Sequence, residues 1–172
     1  MSLIWDFDEK KNYISINNYK VIDSRGARQS SEILEVIDTL IAKLQFTLLL
    51  SGKAGTDIYL KLLADTPHKV QEMQLPEDQG SIIFEGLNKP KNVHRTKGIS
   101  IGKDKNYRAK YRIIFLTLIY PSGKFKPLDK LIPLVAHELT HTALNHVTWK
   151  DDNHSALFKQ YNKIILRYLK QI

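Results

Sequence analysis

The length, composition and charge of the chain limit what it can be. With 172 residues, 42% of them hydrophobic, it can bury one core and is too short for two of ordinary size, so we predict a single domain over residues 1–172. The sequence contains no cysteine, which excludes disulfides, thiolate metal sites and cysteine nucleophiles. The formal net charge of +8 favours a polyanionic partner.

The N-terminal part of the chain is predicted to form strands followed by a long helix. Met1–Lys11 mixes apolar and charged residues, unlike a signal peptide, and no apolar run is long enough to span a bilayer, so we expect an intracellular, soluble protein. β-branched and aromatic residues predict strands at Leu3–Phe7 and Tyr13–Ile22. Apolar residues at helical spacing predict a core helix that begins at Ser30 or Ser31 and ends near residue 52.

The next segment reads as a short helix and a polar connection. Asp57 is the predicted N-cap of a helix over Ile58–Ala64. His68 has no partner pattern in the sequence, and we predict a surface position for it. Gln71–Gly80 is predicted to be a polar loop, and Ser81–Glu85 a short strand.

Positive charge is concentrated in the stretch Lys89–Arg112. It holds nine basic residues against one acidic residue, Asp104, while the other 148 residues carry seventeen of each sign. Charge concentrated in this way is typical of a surface for nucleic-acid backbone, although a solvated loop is the ordinary alternative. The candidate nucleic-acid contacts are Lys89, Lys91, Arg95, Lys97, Lys103, Lys105, Arg108 and Lys110.

The C-terminal third begins with a strand and a helix that carries metal-binding residue types. Arg112–Tyr120 is almost continuously apolar and is predicted to be a strand. Leu131–His146 is predicted to be a helix, with Pro133 in its first turn. Within it, residues 137–141 form an H-E-x-x-H pattern.

The pentad has the spacing of a metal site. Residues four apart on a helix lie only about 40° apart around the axis, so His137 and His141 point the same way and Glu138 flanks them. Two imidazoles from one side suit a zinc ion, and the carboxylate can accept a proton from water. The pattern also occurs by chance on helices that bind no metal.

A catalytic zinc site needs a third protein ligand, and the sequence downstream offers few. No glutamate follows Glu138. His146 would face away from the metal on a continuing helix, and it could bind only if the helix ended before Asn145. His154 is the best candidate, because it opens a second helical segment that Asp152 or Asn153 could cap.

The pentad followed by His154 and, four residues later, Phe158 resembles the WLM and SprT-like metalloproteases. The resemblance covers about the last third of the chain, and the gap from His141 to His154 is closer to the SprT-like pattern. It implies zinc bound by His137, His141 and His154, with Glu138 as the general base and Phe158 packed behind the site. It also implies proteolysis of proteins crosslinked to DNA, with single-stranded DNA as the favoured partner and the nucleus or the site of DNA replication as the location.

These observations combine into one predicted fold and function. We predict an α+β domain with a zincin-like arrangement, in which a small mixed sheet is backed by helices and the H-E-x-x-H helix crosses it. The predicted function is zinc-dependent hydrolysis of peptide bonds in DNA-bound proteins. Two alternatives stay open: a nucleic-acid-binding protein with a structural zinc site, and a general metallopeptidase that has no role at DNA.

Overall fold

The computed structural model describes residues 12–22, 26–73, 85–97, 101, 106–147 and 155–172. These residues form an α+β structure. None of the helices in this part of the chain is both long and apolar enough to cross a membrane. The elements are β1 (Tyr13–Ile16), β2 (Tyr19–Ile22), α1 (Ala27–Leu50), α2 (Lys53–Thr56), α3 (Ile58–Asp65), β3 (His68–Glu72), β4 (Gly86–Lys91), β5 (His94–Arg95), β6 (Tyr107–Arg108), β7 (Tyr111–Leu116), α4 (Leu128–Ala143) and α5 (Ala156–Gln171).

The main sheet is small and mixed, as predicted. Its strand order is β3-β7-β4; β3 runs parallel to β7, and β4 runs antiparallel to it. The predicted strand over Arg112–Tyr120 corresponds to β7, which ends earlier, at Leu116. The predicted loop over Gln71–Gly80 is wrong at its start, because Gln71 and Glu72 are buried in β3.

Strands β4 and β7 continue into a longer two-stranded ribbon. β5 pairs antiparallel with β6, and the Lys110 amide donates to the Lys91 carbonyl between the two paired regions. Asn92 has a φ of 51°, a left-handed conformation that asparagine tolerates better than most residues. The two ends of the basic stretch therefore lie in the main sheet, and β5 and β6 between them form the outer part of the ribbon.

The first predicted strands need correction. Tyr13–Ile22 is a hairpin, β1 and β2, and not a single strand. Asn17 and Asn18 have φ values of 52° and 70°, the conformation of a two-residue turn that matches strand twist. The predicted strand at Leu3–Phe7 lies outside the described residues.

The helix boundaries follow local capping only in part. Asp57 caps α3 as predicted, accepting from the amides of Tyr59 and Leu60. α1, by contrast, begins at Ala27, and Ser30 and Ser31 are buried inside it. A seryl side chain can lie within a helix when tertiary packing outweighs its preference for a cap.

One core connects α1, α3, α4, α5 and one face of the sheet. A second, smaller core lies on the other face of the sheet and contains Met73, Leu87 and Phe115, with Ile113 packed against it. Because side chains alternate along a strand, Leu87 points away from α4 while its neighbours Gly86 and Asn88 point toward it. Helix α4 is thus enclosed between the sheet and α5.

Candidate metal centre

Helix α4 carries the H-E-x-x-H pentad in its C-terminal half. The helix begins after Pro127 and ends at Ala143, so the prediction that residues 137–141 are helical is confirmed. Pro133 lies in the second turn and not in the first, because the helix begins three residues earlier than predicted. From residue 135 to the end of α4, every side chain is buried except that of His137, which is half-buried.

The three side chains of the pentad converge. The ligand atoms of His137, Glu138 and His141 all lie within 4.8 Å of one another. Two nitrogen ligands of one tetrahedral zinc ion lie about 3.4 Å apart, so small side-chain rotations would bring the two imidazoles onto one ion, with the Glu138 carboxylate beside it. Two imidazoles from one helix face, with no thiolate, suit zinc. The residues present therefore fit the metal that the sequence predicts.

An aromatic side chain of α5 forms one wall of the site. The ring centroid of Phe158 lies 5.0 Å from that of His137 and 4.8 Å from that of His141. Phe158 itself is buried. Its position agrees with the packing role that the family resemblance implies, and it limits the directions in which the two imidazoles can turn.

Strand β4 passes directly beside Glu138. A Cβ atom added to Gly86 would lie 2.9 Å from Glu138 Oε2 and 3.3 Å from its Cδ, closer than unbonded atoms normally approach. Two residues further along, Asn88 donates from its side-chain Nδ2 to the backbone carbonyl of Glu138 at 2.7 Å. Glu138 is therefore held by its backbone, and its carboxylate occupies space that only glycine leaves open.

His146 enters the site because the helix ends early. α4 ends at Ala143, and Asn145 has a φ of 58°, which turns the chain back. The His146 amide then donates to the His141 carbonyl at 3.0 Å, and the Nδ1 atoms of the two residues lie 2.7 Å apart. The condition under which His146 could approach the metal is thus met, although His146 is not part of the convergent group.

The structure leaves the third-ligand prediction open. His154 lies outside the described residues. The prediction that Asp152 or Asn153 caps the following helix is wrong, because α5 begins at Ala156 and is capped by Ser155, whose hydroxyl accepts from the Phe158 amide. His154 therefore directly precedes the cap of α5.

His68 was predicted to lie on the surface, but it is half-buried and its ring bonds to two other elements. Its Nε2 lies 2.8 Å from Thr142 Oγ1, and its Nδ1 lies 3.3 Å from Gln45 Nε2. Desolvation, and secondarily the nearby Arg112 guanidinium, lower its pKa to about 3. His68 begins a parallel strand whose C-terminal neighbours are buried, a position that the sequence pattern alone did not reveal.

Arg112 belongs to the interior, although it was counted with the basic stretch. It is 1% exposed, and its Nη1 donates to Asn88 Oδ1 at 3.1 Å and to the His146 carbonyl at 2.9 Å. Desolvation lowers its pKa to about 9, so it stays charged at neutral pH. Asn88 also donates to Thr142, so one polar network joins the sheet to the far end of α4.

The predicted nucleic-acid residues do not share one face. Arg95, Lys97 and Lys110 are exposed on the ribbon. Lys89 and Lys91 alternate with Asn88, so their side chains lie on the sheet face away from α4. Arg108 is half-buried. Lys103 and Lys105 lie outside the described residues.

Helix α5 carries a second basic surface that was not predicted. Its four cations lie within an arc of about 80° and along about 17 Å of the helix. All four are exposed, and the helix contains no acidic residue. In the described part of the chain none of them forms an ion pair. The spacing i, i+4, i+8, i+11 could have revealed this surface in the sequence. The α5 basic face consists of Lys159, Lys163, Arg167 and Lys170.

Comparison with known proteins gives no match to a family model, to a curated protein or to a solved structure.

Proposed function

We propose that this protein is a zinc-dependent metallopeptidase with a zincin-like arrangement of sheet and metal helix. One observation carries the proposal, namely the convergence of His137, Glu138 and His141 beside strand β4. When bound, zinc supplies a Lewis acid that polarises the scissile carbonyl and makes water more acidic. His137 and His141 would hold the metal, with His154 as the proposed third ligand.

Glu138 would serve as the general base. It would accept a proton from the attacking water and pass it to the leaving amine. The whole Glu138 residue is only 5% exposed. Burial strengthens the electrostatic interactions of its carboxylate relative to those in bulk water. The packing of Gly86 against it supports a single defined position for the carboxylate.

Strand β4 would guide the substrate. It stands at the end of the strand order β3-β7-β4 and runs past Glu138 at Gly86. A peptide lying along a sheet edge is bound through its main chain, which gives recognition that tolerates many sequences. This suits an enzyme whose substrates are selected by where they are bound, as the resemblance implies for proteins attached to DNA.

Two basic surfaces support a nucleic-acid partner. The ribbon presents Arg95, Lys97 and Lys110, and the α5 basic face adds four more cations. The apolar side of α5, including Ile165 and Leu169, is buried in the core. It therefore cannot insert into a lipid surface, and phosphodiester backbone is the better match for this charge.

The test is cleavage of a DNA-binding protein by the zinc-loaded chain, with and without single-stranded DNA, beside Glu138→Gln. We expect cleavage that DNA stimulates and that falls at least about 100-fold in the variant, since a general base contributes on that order. The zinc content of the variant should equal that of the natural protein, so that the loss reflects proton transfer.

Other outcomes would favour the alternatives. Cleavage that is indifferent to DNA would keep the peptidase and remove the nucleic-acid role. A chain that binds both zinc and DNA but cleaves nothing, and that behaves identically with Gln at position 138, would favour a binding protein with a structural zinc site.

A further inference from the structure

We propose that His146 is a positioning residue of the metal centre, which fixes the ring of His141 for metal binding. The inference rests on the proposed metal site, and it gives that site a residue that lies outside the pentad. It is carried by the contact between the two Nδ1 atoms, 2.7 Å apart.

A separation of 2.7 Å between two imidazole nitrogens requires a proton between them. Two unprotonated nitrogens would bring their lone pairs together, whereas one N–H donating to the other nitrogen makes a short hydrogen bond. If His141 donates from Nδ1, its Nε2 carries no proton, and the lone pair on Nε2 can bind a metal. If His146 donates instead, the proton of neutral His141 lies on Nε2 and blocks it. Metal binding therefore selects the first arrangement, with His146 as the acceptor.

The position of His146 is fixed from several sides. Its amide donates to the His141 carbonyl, and its own carbonyl accepts from the buried Arg112 guanidinium. Its ring lies parallel to that of Phe158, with an interplanar angle of 8° and centroids 6.2 Å apart. A residue held by backbone and ring together presents its Nδ1 in one direction only.

The turn that precedes His146 is held in place by hydrogen bonds. Asn145 donates from Nδ2 to the carbonyls of Ile101 and Tyr107, at 3.2 Å and 3.0 Å, and its left-handed φ allows the chain to reverse after α4. The carbonyls of Ile101 and Tyr107 therefore fix the end of α4, and this end fixes the position of His146.

The geometry favours a positioning role over a ligand role for His146. The convergent group of ligand atoms consists of His137, Glu138 and His141, and His146 is not among them although it lies in the described part of the chain. Metal-bound histidines usually donate their second ring N–H to a fixed acceptor, and removal of that acceptor typically costs 10–100-fold in metal affinity. Here the acceptor would be another imidazole.

The experiment compares three substitutions of His146 by zinc affinity, measured in competition with a chelator. His146→Asn places a carbonyl oxygen near the position of Nδ1. His146→Leu has similar bulk and no acceptor, and His146→Gln carries its amide further out, near the position of Nε2. We expect His146→Asn to stay within about threefold of the natural protein, and the other two to lose roughly 10–100-fold.

Two further readings separate positioning from folding and from ligation. Circular dichroism and melting of the metal-free proteins identify any variant that fails to fold. The absorption spectrum of the Co²⁺-loaded proteins should keep its intensity in all three variants, because the number of ligands does not change.

Several results would overturn the proposal. These are unchanged affinity in a folded His146→Leu protein, equal loss in His146→Asn and His146→Leu, or a changed Co²⁺ spectrum that identifies His146 as a ligand. A natural chain that binds no zinc would overturn it together with the metal site. A chain that binds zinc with the expected order of affinities but cleaves no peptide would support the role of His146 and overturn only the peptidase function.

Discussion

Gly86 of strand β4 leaves the space beside its Cα that the Glu138 carboxylate of helix α4 occupies. The site of a Cβ atom on residue 86 lies 2.9 Å from Glu138 Oε2. The position of the proposed general base thus depends on a residue 52 places away in the sequence that has no side chain.

Gly86→Ala should impair hydrolysis while leaving the metal bound. The added methyl would displace the Glu138 carboxylate, and a misplacement of about 1 Å can cost on the order of 100-fold in rate. The measurement is kcat/KM with zinc content determined on the same sample. The matched control is Gly55→Ala, where a Cβ would meet nothing within 4 Å. If both variants keep full activity, hydrolysis does not require the Glu138 carboxylate at its observed position.

Arg112→Met should destabilise the fold strongly. The substitution leaves Asn88 Oδ1 and the His146 carbonyl without their donor, at about 1–3 kcal/mol for each buried acceptor. We expect the free energy of unfolding in urea to fall by at least about 2 kcal/mol, even though the substitution also removes a buried charge. Arg95→Met, on the exposed ribbon, should stay within about 0.5 kcal/mol. Equal small effects at both positions would show that the network contributes little.

The pH dependence of stability should depend on His68. Its pKa is near 3 in the folded protein and near 6.5 in an unfolded chain, so between these values the unfolded state binds the extra proton. The stabilising contribution is therefore complete above about pH 6.5 and is lost as pH falls toward 3, with a slope of up to about 1.4 kcal/mol per pH unit. The physical reason is that a proton on Nδ1 of His68 would face the N–H group of the Gln45 side chain. Two donors would then point at each other.

The matching measurement is urea unfolding of the metal-free protein at several pH values beside His68→Gln. The glutamine amide can replace the donor to Thr142 without titrating, so the variant should lose less stability on acidification. His94→Asn, at an exposed position, serves as the control and should follow the natural protein. Parallel curves for the natural protein and His68→Gln would contradict a lowered pKa of His68.

Nucleic-acid affinity should depend on the two basic surfaces in particular. One triple variant replaces Arg95, Lys97 and Lys110 of the ribbon with Gln, and another replaces Lys159, Lys163 and Arg167 of α5. If a surface contacts phosphates, its triple variant should show a salt dependence of single-stranded DNA binding that is lower by about 2 in log–log slope. Each of the three lost contacts contributes roughly 0.7 to that slope.

The control for these variants removes the same charge elsewhere. Lys20, Lys124 and Lys130 are exposed and belong to neither surface, so their triple replacement should leave the salt slope unchanged. Equal weakening by all three triple variants would indicate that only net charge matters and that neither surface is a binding site.

Local signals in the sequence were sufficient for several elements. The Asp57 cap, the helical pentad and the apolar strand before α4 each depend on spacing within a few residues, and the structure contains all three. The pair Asn17-Asn18 carried an equally local turn signal, which was missed because apolar residues on both sides suggested one continuous strand.

The remaining features depend on contacts between distant residues. Whether α4 continued past Ala143 decided where His146 lies, and that end is fixed by Asn145 bonding to Ile101 and Tyr107. His68 acquires its environment from α1 and α4. Neither arrangement is encoded by periodicity, because each partner lies more than 20 residues away.

The most direct test of the central claim is zinc content and peptide hydrolysis measured together for the natural protein, His141→Ala and Glu138→Gln. We predict one bound zinc per chain with activity for the natural protein, little zinc and no activity for His141→Ala, and full zinc without activity for Glu138→Gln. Equal zinc content in the natural protein and His141→Ala, or undiminished hydrolysis by Glu138→Gln, would contradict a catalytic metal centre on α4.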